Sequence, residues 1–357
     1  MYEKLNDILG KDSELNLDAV LISSPHNLRY FSGFAGGEGY ALAGDGFRYI
    51  FVDSRYTEEA KAESPDFNVV QFGLGGVCAE IEKVIKEFGI ARIGFEDKTM
   101  TYREYKTLSE KLADIELVPL GNRADLKRMI KTNAEIERMR TAERIGDVAL
   151  GEALPYIKTG ARECDIAAEL EYRMRKHGAE RTSFETIVVS GEKSAMPHGK
   201  PNEKILERGD FVTIDFGCVY KGYCSDMTRT FAMGEISKEQ KKVYDTVLAA
   251  QKEGLKSIRS GVCGAECDAA ARRVIEDAGY GKYFGHALGH GVGVEIHELP
   301  TLSPKFKIIL KENMAVTCEP GIYIGGIGGV RIEDLVIVKK DGYDNLSSFD
   351  KNLIICE

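Results

Sequence analysis

The feature that most limits what this chain can fold into is a long internal repeat. The segment Ile157-Lys-Thr-Gly-Ala-Arg-Glu-Cys-Asp165 is echoed by Ile258-Arg-Ser-Gly-Val-Cys-Gly-Ala-Glu-Cys-Asp268. Ile205-Leu206 followed by Val212-Thr213-Ile214-Asp215 is echoed by Ile309-Leu310 followed by Val316-Thr317-Cys318-Glu319. Counted at Glu-Cys-Asp the copies are 103 residues apart (165 to 268), and at the strands 104 (215 to 319). Each copy reads helix, helix, then strands ending in a hairpin. Solenoids stack at least three short units, so two long copies predict one domain of two similar halves about a pseudo-two-fold axis.

Local signals support that order. Thr132-Asn-Ala-Glu135 is a capping box that opens a long helix, with Ile136, Met139, Ile145 and Ala149 on its apolar stripe. Ser237-Lys-Glu-Gln240 caps the corresponding helix of the second copy. Ile166, Leu170 and Met174 share a face of the next helix, which Gly178 stops. Ahead of the repeat, apolar β-type runs at 19–23, 48–53, 69–72, 92–95 and 116–118 alternate with helical spacing at 54–63, 78–88 and 102–113. That alternation predicts an α/β layer domain. Gly36-Gly37 and Gly73-Leu-Gly-Gly76 lack a following Lys-Ser/Thr and read as turns, not phosphate loops. The turn signal Gly121-Asn122 and the cap at Thr132 place a boundary between them. The expected class is α/β (α+β), with domains at 1–127 and 133–357.

Lys and Arg number 48 against 57 Asp and Glu, a net charge of −9. An acidic chain with no basic run is a poor binder of nucleic acid or anionic membranes. No apolar stretch approaches the ~18 residues of a membrane span, and the N-terminus does not read as a signal peptide. Eight cysteines with no CxxC pair argue against a zinc ribbon or a disulfide framework. A cytoplasmic location with reduced thiols is expected.

The repeat aligns Asp215 with Glu319, each at the end of an apolar strand. The returning strands carry Asp226 and Glu333. If the halves face one another, four carboxylates converge, and such a group repels itself unless cations join it. Two metal ions about 3.5–4 Å apart are a known hydrolytic arrangement. His286, His290 and His297 crowd into twelve residues among Gly289, Gly291 and Gly293. Ala287 replaces the glutamate of a zincin HExxH, and the glycines disfavour a helix there. Imidazole mixed with carboxylates suits Mn, Co, Fe or Zn rather than Mg or Ca. Spacing alone leaves open which histidine faces a metal. His198 lies in a loop before the Asp215 strand, roughly opposite His297 by the repeat offset. Asp215-Phe-Gly217 also spells a kinase DFG, but no HRD loop accompanies it.

At these residues the chain resembles the "pita-bread" metallopeptidases: methionine aminopeptidase, Xaa-Pro aminopeptidase (aminopeptidase P) and prolidase. Asp215-Phe-Gly, Gly289-His-Gly-Val-Gly, Glu319-Pro-Gly and Arg331-Ile-Glu-Asp334 are similar to the Xaa-Pro branch. Asn27-Leu-Arg-Tyr-Phe-Ser-Gly-Phe34 and Asp53-Ser-Arg-Tyr56 resemble its creatinase/prolidase-type N-terminal domain. The resemblance implies that Asp215 chelates one metal, His290 and Glu319 hold the other, and Asp226 and Glu333 bridge them. It also implies a proton-shuttling Glu319, His198 and His297 on the substrate and tetrahedral intermediate, His286 in a proline pocket, and Arg331 supporting Glu333 or the substrate. The expectation is a dinuclear Xaa-Pro aminopeptidase acting on peptides with proline second, with prolidase (Xaa-Pro dipeptidase) as the alternative. A metal-free creatinase-like hydrolase or binding module is the reading from another class, and loss of a bridging carboxylate would favour it. Manganese is the expected metal, with cobalt, zinc or iron also suited, and a homodimer is expected.

Overall fold

Alternating short strands and helices in the N-terminal part of the chain build one mixed sheet. The computed structural model describes residues 5, 8, 9 and 15–357, and the chain divides into two units, Met1–Arg128 and Met129–Glu357. The first unit runs β1 (Ala19–Ile22), α1 (Pro25–Ser32), β2 (Tyr40–Gly44), β3 (Phe47–Val52), α2 (Thr57–Glu63) and β4 (Asn68–Gln71). It continues with α3 (Val77–Phe88), β5 (Arg92–Phe95), α4 (Tyr102–Lys111), β6 (Glu116–Pro119) and α5 (Arg123–Met129), which runs one residue past its end. The strands lie in the order β4-β3-β2-β1-β5-β6. β1 pairs antiparallel with β2 and parallel with β5.

Three elements of this unit were not evident from sequence: α1, β2, and α5, which occupies the stretch read as a domain boundary. Strand β2 sits among glycines, where Tyr40-Ala-Leu-Ala-Gly44 shows little alternation. Helix α1 begins with Pro25 in its first turn and is capped by Ser24, which accepts from the Asn27 amide. The buried Glu96 carboxylate ties down this corner through the Ser23 and Ser24 amides, Ser24 Oγ and Asn27 Nδ2.

The second unit repeats itself. Its first half contains α6 (Asn133–Ala153), α7 (Glu163–Lys176), β7 (Arg181–Thr182), β8 (Ile187–Ser190), β9 (Phe211–Phe216), β10 (Cys218–Tyr220), β11 (Tyr223–Cys224) and β12 (Met227–Met233). The second half contains α8 (Lys238–Ser257), α9 (Gly264–Asp277), β13 (Gly289–Gly291), β14 (Glu298–Leu302), β15 (Ala315–Cys318), β16 (Gly321–Ile324), β17 (Gly328–Arg331), β18 (Asp334–Lys339) and β19 (Gly342–Asn345). A last strand, β20 (Ile355–Cys356), returns to pair with β12. The sheets run β20-β12-β9-β8 and β14-β13-β15-β18-β19. Each half has its own apolar core: Ile145, Leu170, Ile214 and Phe231 in one, Val247, Ile275, Val316 and Val336 in the other. Both capping boxes form, at Thr132 and at Ser237. Among the described residues no helix is long and apolar enough to cross a membrane.

The structure shifts one part of the repeat. Helices α7 and α9 each have 14 residues and start at Glu163 and Gly264, so their offset is 101 (163 to 264), not 103. The entry to each helix is fixed by a matched bridge, Arg162 with Ile205 and Cys263 with Ile309. Matching amide bonds, Glu163 to Lys204 O and Gly264 to Ile308 O, confirm that alignment. The Glu-Cys-Asp coincidence slid by two residues because the first turn of a helix tolerates many residues, whereas backbone pairing sets one register.

Candidate metal centre

Strand pairing brings the four acids to one place. Asp215 lies on β9 opposite Thr228 of β12. Asp226 falls in the gap between β11 and β12, and Glu333 in the gap between β17 and β18. Glu319 follows β15, whose Cys318 faces Asp334. The halves are joined at this point: the Glu333 amide donates to Thr228 O at 3.1 Å, and Thr230 Oγ1 donates to Arg331 O at 2.9 Å.

His290 arrives on β13, and its neighbouring glycines are steric necessities. A Cβ on Gly289 would lie 2.0 Å from Thr317 O, and one on Gly291 2.3 Å from Leu299 O. No side chain fits so close an approach of backbones. A register shift between His290 and Gly291 turns the imidazole toward the acids.

Asp226, His290 and Glu333 each present a donor atom, all within 4.8 Å of one another. His290 Nε2 is 3.3 Å from Glu319 Oε1 and 3.5 Å from Asp226 Oδ2. Its Nδ1 faces Gly291 O at 3.0 Å, so the tautomer that donates there turns the Nε2 lone pair toward two carboxylate oxygens. A lone pair facing carboxylates is stable only with a cation or a proton between them. Asp215 Oδ2 accepts from Arg331 Nη2 at 2.6 Å, while its buried Oδ1 has no hydrogen-bond partner among the described residues.

Electrostatics agree with this geometry. Burial, and after it the neighbouring carboxylates, push Asp226 and Glu333 well above the usual carboxylate range. Burial also raises Glu319 against the opposing pull of His286 and Arg331. Burial lowers His290, favouring the neutral ligand form. Acids under this much mutual repulsion, beside a neutral imidazole and an orphaned oxygen, fit divalent cations.

The supporting residues are largely ones the sequence did not single out. Thr228 Oγ1 donates to Glu333 Oε2 at 2.6 Å and accepts from Arg331 Nε at 3.1 Å. Arg331 thus pairs directly with Asp215 and reaches Glu333 through a threonine. Thr317 Oγ1 donates to Glu319 at 3.0 Å and accepts from the His290 amide. Glu143 on α6, its pKa pushed up to about 8 by burial, accepts from the Asp226 amide at 2.8 Å. Tyr323 Oη lies 2.9 Å from both His286 Nε2 and Arg331 Nη1. In the sequence these threonines read as ordinary β-formers, Tyr323 as a strand aromatic and Glu143 as a helix acid. Only folding separates them from the rest.

The remaining histidines surround the acids. His286 packs edge-on against Phe284, ring centroids 5.0 Å apart. His297 is exposed, with its ring 4.5 Å from that of His290. His198 is exposed on the loop after a short 3₁₀ turn, close enough for its charge to act on His286 and His297. Burial lowers the pKa of both of the latter.

A set of acids and imidazole of this kind fits a metal-dependent hydrolase. Residues 137–340 match metallopeptidase family M24, and residues 3–130 match the creatinase/prolidase N-terminal domain. The chain is similar to the solved Xaa-Pro dipeptidase of Bacillus anthracis, at 44% identity, 99% of each chain and a TM-score of 0.95. It is also similar to the solved X-Pro aminopeptidase of Thermotoga maritima MSB8, at 38% identity, 99% of each chain and a TM-score of 0.93. The Xaa-Pro dipeptidase of Pyrococcus furiosus is 39% identical over 355 residues, covering 99% of this chain and 100% of the relative. The chain belongs to metallopeptidase family M24, and is therefore a hydrolase of peptide bonds whose family implies divalent metal ions.

Proposed function

We propose that this protein cleaves the peptide bond that precedes proline, and that its substrates are Xaa-Pro dipeptides. The observation that carries the hydrolytic reading is the convergence of Asp226, His290 and Glu333 within 4.8 Å, with Glu319 and the orphaned Asp215 oxygen beside them. The dipeptidase form is supported by the names of the Bacillus anthracis and Pyrococcus furiosus relatives. The aminopeptidase expected from the sequence is the second reading, favoured by the Thermotoga maritima relative. The relatives support the dipeptidase at least as well. Residues 1–127 and 133–357 would form the two domains, in a cytoplasmic homodimer.

Asp215, Asp226, His290, Glu319 and Glu333 would hold two cations, with manganese the proposed metal. When bound, the cations would polarise the scissile carbonyl and lower the pKa of water toward neutrality. The chain's own groups do the rest. Arg331 and Thr228 keep Asp215 and Glu333 in place through the bonds described. Glu319 carries a proton to the prolyl nitrogen, which needs one because that nitrogen belongs to a tertiary amide and must leave as an amine. His198 and His297 donate to the substrate carbonyl and the tetrahedral oxygen, and His286 lines the proline pocket with Phe284 and Tyr323.

Turnover of Xaa-Pro dipeptides against Xaa-Pro-Yaa tripeptides by the purified, manganese-loaded protein tests this reading. Dipeptide cleavage is expected. Cleavage of tripeptides alone would replace the dipeptidase with the aminopeptidase, and cleavage of neither would overturn both.

A further inference from the structure

Neither His198 nor His297 has its ring held by a hydrogen bond among the described residues, yet both are assigned to the substrate. Beyond the contact of the His297 ring with that of His290, their positions come from the backbones of their loops, and each loop is tied down by a glutamate–lysine pair whose carboxylate is buried. In the first half the carboxylate is Glu163, fully buried at the start of α7. Its Oε1 accepts from the Ser190 amide at 2.7 Å and from Ser190 Oγ at 2.9 Å. Its Oε2 accepts from Lys193 Nζ at 2.5 Å and from the Asn202 amide at 3.3 Å. Lys193 also donates to Lys200 O at 2.5 Å. One ion pair thus grips the loop at residues 190 and 193 before His198 and at 200 and 202 after it.

The second half uses the same chemistry with other residues. Glu298, directly after His297, pairs with Lys131 at 2.9 Å, and both side chains are almost fully buried. Glu298 Oε1 accepts from the Glu295 amide at 3.1 Å, on the other side of His297. The carboxylate fills the space where Gly293 would carry a Cβ, which would lie 2.4 Å from Oε2.

We propose that Glu163–Lys193 and Lys131–Glu298 are positioning pairs that fix His198 and His297 over the metal centre. This assignment rests on the catalytic reading of the two histidines. Apolar residues of similar volume often stabilise a fold as well as a buried ion pair does, so the pair itself is weak evidence for a purely stabilising role. Bonds from one carboxylate to both flanks of a loop instead restrict where its tip can lie.

The test is a cycle of Lys193→Met, His198→Ala and the double variant, with hydrogen exchange measured on each protein. Lys193→Met should speed exchange across residues 196–202 by about tenfold or more, leaving 286–297 unchanged. It should lower kcat/KM by roughly tenfold to a hundredfold, the range seen for supporting residues of such sites, at unchanged metal content. Adding His198→Ala should cost much less in the Lys193→Met background than in the parent, and Lys193→Arg should restore most of the activity. Additive losses, or unaltered exchange, would overturn the proposal. If Lys193→Met does not fold, Glu163→Gln/Lys193→Met removes both charges together and is read in the same way. A parent protein that cleaves no Xaa-Pro peptide would sink the functional reading, while the exchange result would still decide whether the pair holds the loop.

Discussion

The two halves of the catalytic unit share a plan but divide the labour. The first half supplies two short acids, Asp215 on a strand and Asp226 in a strand gap. The second supplies two longer ones, Glu319 and Glu333, together with His290 and the histidines on either side of it. Glycine explains the asymmetry. At the register where the first half has Ser190 of β8 opposite Val212, the second has Gly291 of β13 opposite Val316. Only glycines there let the backbones close up and turn an imidazole inward. A duplicated scaffold thus gives the approximate place of each acid, and local substitutions give the two halves different chemistry.

The strongest way to break this comparison is to remove one carboxylate of the converging set from each half. Asp226→Ala and Glu333→Ala should each reduce peptidase activity to background and lower bound metal, measured by turnover and elemental analysis. If one variant kept normal turnover, the halves would not contribute jointly. Next in size, His198→Ala and His297→Ala should each lower kcat/KM by about 10²–10³, the usual cost of a lost transition-state donor. Steady-state kinetics on a dipeptide checks this, and losses of only a few-fold would remove the histidines from the chemistry.

A smaller effect separates the supporting threonines. Thr228→Ala frees Glu333 in one half, and Thr317→Ala frees Glu319 and the His290 amide in the other. Each should weaken metal binding by roughly 10–100-fold, read by competition with a chelating dye.

Metal removal adds a pH dependence whose sign follows from the raised acids. Asp226, Glu319 and Glu333 bind protons more tightly folded than unfolded. The stability they contribute to the chelated protein is full below the unfolded carboxylate pKa, about 4. It is lost as pH rises through their folded values. Thermal melts of the chelated protein should therefore fall in Tm above about pH 4 relative to the metal-loaded protein. The smallest effect compares the matched helix caps: Thr132→Ala and Ser237→Ala should each cost about 1 kcal/mol in denaturant unfolding.

Much of this architecture was legible because it repeats or alternates. Matched acids at 215 and 319 exposed the duplication, and strands such as Arg92–Phe95 stood out as isolated apolar runs. What could not be read depends on register. The acids Asp226 and Glu333 were legible on the returning strands of the repeat, but not that each falls where a strand breaks, which alternation does not reveal. The true helix offset of 101 emerged only from backbone bridges. Thr228 and Glu143 owe their roles to residues far along the chain, and Thr317 and Tyr323 join near neighbours to distant histidines, so no local pattern marks them.

The central claim is that acids from both halves jointly bind divalent cations. Calorimetric titration of the chelator-stripped protein with manganese at neutral pH tests it most directly. Two cations should bind per chain, with protons released because buried acids give theirs up to the metal. In Asp226→Ala and Glu333→Ala alike, binding should be lost or greatly weakened at both sites. Full occupancy of two sites in either variant, or no binding by the parent chain, would contradict the account.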